Sequence, residues 1–77
     1  METKVVEKVK EILARQGGRE SENIGLDDRT EDWGFDSLDD VEIIIICEEE
    51  FGIEIPDEEA AKVETVRDLI ELVQSKL

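Results

Sequence analysis

The sequence predicts an all-α fold, a four-helix bundle with three longer helices, one short helix and a long first loop. Three observations carry this expectation. Apolar residues recur at helical spacing in separate segments, with no convincing strand between them. Glycines close the first two of these segments, and Asp or Thr caps open the later ones. The chain has 77 residues, which suits one domain spanning residues 1–77 and falls well short of the length at which chains divide.

The first helix is expected from about Thr3 to Arg15, where Val5, Val9 and Ile12 share a face that Val6 and Leu13 widen. Gly17-Gly18 ends it. Residues Arg19 to Phe35 form a polar loop, and its isolated apolar residues Ile24, Leu26, Trp33 and Phe35 are expected to pin it to the core. A second helix opens at an Asp36 cap, with Asp39 as its capping-box partner, and runs to about Phe51 before Gly52 stops it. Ile53 to Ile55 is extended, as the residue before Pro56 must tend to be. A short helix follows from Asp57 to Ala61, with Asp57 as its cap. Thr65 and Asp68 repeat the capping pattern and open the last helix, whose stripe is Val66, Leu69, Ile70, Val73 and Leu77.

The second helix has two apolar faces when projected at about 100° per residue. Ile43, Ile44, Cys47 and Phe51 form a stripe wide enough to face the core. Roughly opposite lie Leu38, Val41 and Ile45, interleaved with Glu42, Glu48 and Glu49, with Ser37 at the N-terminal end. Two fates are open to this second seam. It is either covered by the long loop, or exposed as an apolar patch rimmed by carboxylates, the signature of an interaction surface.

Charge is concentrated in the same region. Residues 1–19 hold five bases and three acids, and residues 62–77 hold three of each. Residues 20–61 hold seventeen acids against Arg29 alone, a net of −16 within the chain's total of −14. Such a field repels nucleic acid and anionic membranes and steers basic partners toward itself. A hydrophobic content of 39% with clear periodicity argues against disorder. The longest apolar run, Ile43 to Cys47, is five residues, against the roughly 20 that span a bilayer. One cysteine makes no internal disulfide, and Met1 is followed by charged residues, so a cytoplasmic, reducing location is expected.

Catalysis is narrowed by elimination. Without histidine there is no Ser–His–Asp or Cys–His arrangement and no histidine-containing zinc site. The run from Asp28 to Asp39 superficially resembles a calcium loop, but Gly34 falls one position late and the twelfth position is not glutamate. No specific metal site and no free-standing enzyme is expected.

The segment Asp36-Ser37-Leu38-Asp39-Asp40-Val41-Glu42 resembles the prosthetic-group attachment motif of acyl carrier proteins of the dissociated fatty acid synthase kind. The likeness continues through Glu48 to Ala60 (EEEFGIEIPDEEA) and from Val63 to Ile70. The resemblance implies that a phosphopantetheinyl transferase moves a 4′-phosphopantetheine arm from coenzyme A to Ser37. The arm then carries acyl groups as thioesters to successive fatty acid synthesis enzymes and acyltransferases. It further implies that Asp36, Asp39, Glu42, Glu48 and Glu49 meet basic patches on those enzymes, with Leu38, Val41 and Ile45 as the apolar contact. Ile43, Ile44, Cys47, Phe51, Ile55, Ala60 and Leu69 would line the acyl pocket or its core, and the carrier would be a monomer without stable membrane association.

Three features depart from the family pattern. Trp33 and Cys47 stand where the family usually has leucine, and Ile43 to Ile46 is a β-branched run of weakened helical propensity. These leave open whether the cargo is the housekeeping fatty acyl chain or a polyketide, peptidyl or other lipid intermediate. An unmodified acidic adaptor using only the Leu38–Val41–Ile45 face is the remaining alternative.

Repulsion within the −16 segment should make stability sensitive to counterions. The thermal midpoint at neutral pH is expected to rise with added salt or millimolar Mg²⁺ or Ca²⁺. A midpoint indifferent to all three in calorimetry overturns this account.

Overall fold

The computed structural model describes residues 2–77. Its helices are α1 (Thr3–Gly17), α2 (Ser37–Phe51), α3 (Asp57–Ala60) and α4 (Val66–Ser75), and two 3₁₀ turns, Ser21–Asn23 and Thr30–Trp33, interrupt the α1–α2 connection. The fold is all-α with three longer helices and one short one, as the periodicity predicts.

Helix α1 extends past Arg15 to Gly17, and Gly18 closes it in the left-handed conformation (φ 63°), its N–H bonded to the Ala14 carbonyl. Gly17 meets a separate demand. A Cβ there would lie 3.2 Å from the Phe35 ring, so any other residue would push that ring back by a few tenths of an ångström.

The long connection is tied down by both side chains and backbone. Ile24 is buried, and Leu26, Trp33 and Phe35 pack against the core. Trp33 and Phe35 meet edge to face at 5.6 Å, and the Arg19 guanidinium lies 4.9 Å from the Trp33 ring centre. Trp33 is therefore a loop anchor. The loop also caps α4: the carbonyls of Asp28 and Leu26 accept from the N–H groups of Val66 (3.0 Å) and Arg67 (2.7 Å). Thr65 accepts from Asp68 and Leu69, so all four first-turn donors of α4 are satisfied.

Two expected helix boundaries are corrected. Asp57 is the first helical residue of α3, and Pro56 takes the cap position (φ −61°, ψ 146°), its carbonyl accepting from Glu59 and Ala60. Proline's fixed φ supplies the extended entry that an aspartate cap would otherwise provide. Leu77 does not complete the α4 stripe, because the helix stops at Ser75 and leaves that side chain 59% exposed.

The core joins Val5, Val9, Ile12 and Leu13 of α1 to Ile43 and Cys47 of α2 and to Val66, Leu69, Ile70 and Val73 of α4, closed by Ile24 and Ile55. Burial of this kind contributes about 1.5–3 kcal/mol per large side chain before entropy is subtracted. No helix among the described residues is long and apolar enough to cross a membrane.

Backbone N–H groups of Glu64 and Thr65 bond the Asp68 carboxylate and hold its pKa below the ordinary value of 3.8. A lowered carboxylate stabilises the fold above its unfolded pKa, and that contribution disappears as pH falls through the folded pKa. Thr65→Ala is expected to cost about 0.5–2 kcal/mol in denaturant unfolding. Asp68→Asn should flatten the acid limb of stability below pH ~4, and an unchanged limb would contradict this role for the carboxylate.

Candidate functional site

Helix α2 begins where a reciprocal capping box sets it. Asp36 Oδ1 accepts from the Asp39 N–H and Asp39 Oδ2 accepts from the Asp36 N–H, each at 3.0 Å. Ser37 is consequently the first helical residue and is exposed. The backbone N–H groups of Ser37 and Leu38 have no partner among the described residues. The serine hydroxyl thus stands in solvent at the positive end of a 15-residue helix.

The two apolar faces of α2 have different fates. Ile43 and Cys47 are buried, with Ile44 and Phe51 half-buried beside them. Leu38 is 74% exposed, Val41 53% and Ile45 47%, so the long loop leaves this second seam uncovered. Asp36, Glu42 and Glu49 are exposed along it, while Asp39 is half-buried in its cap.

Glu48 differs from the other acids. Its carboxylate accepts from the Ile55 N–H at 2.8 Å, and its own carbonyl accepts from Ile53 at 3.1 Å. The residue therefore holds the Ile53–Ile55 segment against the end of α2. Reversing its charge would take away the acceptor of the Ile55 N–H, so this acid serves the fold as well as the surface.

A third face of α2, between the buried and exposed ones, borders a groove of about 490 Å³. Ser37, Asp40, Val41, Ile44, Ile45 and Glu48 form one wall, and Ile55, Asp57, Ala60, Ala61 and Val63 the other. Behind it lies a cavity of about 50 Å³ among Leu13, Ile43, Val66 and Leu69, with Thr30, Glu64 and Thr65 at its edge. Asp40, Ile44, Ala60 and Val63 line both spaces. Of the residues expected around an acyl pocket, Ile43 and Leu69 border the cavity, Ile55 the groove, and Ile44 and Ala60 both. Cys47 and Phe51 line neither. Cys47 is enclosed in the core, where burial, followed by Glu48 and Glu50, pushes its thiol up to about 12 and makes it inert at neutral pH.

Asp40 and Val63 were absent from the sequence-based site. Helical spacing from Ser37 gives Asp40 at i+3, Ile44 at i+7 and Glu48 at i+11, so the seam was present in the pattern. Val63 comes from a segment without periodicity and is brought there only by the tertiary fold.

Three comparisons with known proteins agree. Residues 7–73 match the family described as "Phosphopantetheine attachment site". The chain is 44% identical over 77 residues to an acyl carrier protein of Thermosynechococcus vestitus, covering 99% of this chain and 95% of the relative. Its structure is similar to the crystal structure of an acyl carrier protein from Thermotoga maritima, with a TM-score of 0.81 and 34% identity, over 95% of this chain and 86% of that one.

Reversing charge on α2 separates surface from structure. Glu48→Lys is expected to lower stability by about 1–3 kcal/mol, because the Ile55 amide loses its acceptor. Glu42→Lys on the exposed seam should leave stability within about 0.5 kcal/mol. Equal melting curves for the two variants would rule out the structural role of Glu48.

Proposed function

The chain belongs to the acyl carrier protein family, and we propose that Ser37 is the residue that bears its 4′-phosphopantetheine arm. Acyl carrier proteins are carriers, not enzymes, and bear acyl chains through phosphopantetheine. The observation supporting Ser37 is its position: an exposed hydroxyl in the first turn of α2, beside two backbone N–H groups that have no partner among the described residues. A phosphodiester there gains about 0.3–1 kcal/mol from the helix terminus. When attached, the arm supplies a terminal thiol that holds acyl groups as thioesters. The protein's own residues do the rest by position. Asp36 and Asp39 keep Ser37 at the helix start, and the groove beside it offers the apolar surface of Ile44, Ile55 and Ala60 to the acyl chain, with Ile43 and Leu69 behind.

The carrier role requires a phosphopantetheinyl transferase and the synthase enzymes as partners. In this reading they approach the Leu38–Val41–Ile45 seam with basic patches, and Asp36, Asp39, Glu42 and Glu49 meet those cations. Exposed ion pairs contribute about 0–1 kcal/mol each, so docking is steered and brief. Fatty acid synthesis is the pathway this reading favours, with the protein acting as a cytoplasmic monomer.

Co-expression with a phosphopantetheinyl transferase followed by intact mass spectrometry tests the assignment. The wild-type chain is expected to gain one phosphopantetheine and Ser37→Ala none. An adduct that persists in Ser37→Ala, or an unmodified wild type under conditions that load another carrier fully, overturns it.

A further inference from the structure

We propose that Asp40, held by Thr30, is a specificity-determining residue that stops acyl chains at the groove and keeps them out of the inner cavity. The inference rests on the reading that the groove beside Ser37 shelters the chain. Of the four residues that line both spaces, Ile44, Ala60 and Val63 are apolar and Asp40 alone is charged. Thr30, which lines the cavity, donates its hydroxyl to Asp40 Oδ1 at 3.3 Å and so links the loop to α2 beside the residues common to both spaces. The cavity, at about 50 Å³, has room for only a few water-sized groups.

A methylene chain moving inward must lie against the Asp40 carboxylate and take water from it. Desolvating an ionised carboxylate without a new partner is costly, whereas a neutral amide or a methyl in its place removes that cost. Among the described residues, the charges that act on Asp40 are all acidic. Asp36, Asp39 and Glu31 act on Asp40 as like charges, Glu64 borders the cavity, and Glu48 and Asp57 border the groove. The nearby cation Arg29 is engaged by Glu31 and Glu64. Burial, opposed by the Thr30 hydrogen bond and reinforced by Asp39, Asp36 and Glu31, raises the Asp40 pKa above the ordinary 3.8. Protonation therefore opens the passage as pH falls. The cargo this favours ends within the groove, and long saturated chains that need the cavity are held less deeply.

The test loads the arm with butanoyl, octanoyl or dodecanoyl groups and measures thioester cleavage by hydroxylamine in wild type, Asp40→Asn and Asp40→Ala. Wild type is expected to gain protection from butanoyl to octanoyl and little more at dodecanoyl. In both variants dodecanoyl should become about tenfold more protected, with new methyl chemical shifts at Val66 and Leu69 in NMR spectra. Lowering the pH from neutral toward the titration of Asp40 should raise the ratio of dodecanoyl to butanoyl protection in wild type but not in Asp40→Ala. Length-dependent protection that is the same in all three proteins overturns the role of Asp40 alone. Protection independent of chain length in wild type removes the groove reading and this inference with it. Asp40→Asn keeps an oxygen that can accept from Thr30, so the same gain in protection in both variants separates the role of the charge from loss of that bond.

Discussion

Helix α2 carries apolar residues on two faces and can bury only one of them. The domain has three longer helices, and α1 and α4 supply the apolar surface that Ile43 and Cys47 fill. Leu38, Val41 and Ile45 are left in solvent as a consequence. Exposing such a seam costs solubility, and the carboxylates along it offset that cost while giving the surface a sign. The uncovered apolar seam follows from the packing limit of a small bundle.

The acids are not interchangeable, although they dominate the composition. Asp36, Asp39 and Asp68 accept backbone N–H groups at helix starts, and Glu48 accepts one at a helix end. These four fix where helices begin and how the next segment turns. Glu42 and Glu49 are exposed, Glu42 accepting only a long 3.4 Å bond from the Gln16 side chain. Asp40 belongs to neither group, since it borders the space between α2 and α3 and bonds the loop through Thr30. A single charge total therefore hides three physical roles.

The residues that depart from the family pattern also divide by location. Trp33 clamps the long loop between Phe35 and Arg19, and Cys47 fills the core. Neither borders the groove or the cavity. Asp40 and Val63, by contrast, line both spaces.

Sequence alone determined the helices, the capping boxes of α2 and α4 and the start of α2 at Ser37, because capping and periodicity are local and depend on residues three or four apart. It also marked the two apolar faces of α2. It misjudged the entry to α3, where Pro56 replaced the expected aspartate cap, and the end of α4, where nothing local marks the stop before Leu77. The choice of buried face, the second duty of Glu48 and the meeting of Asp40 and Val63 beside the groove were decided only by tertiary structure. Each depends on segments distant in sequence, from Thr30 to Val63, meeting α2 in space, and no local pattern encodes that meeting.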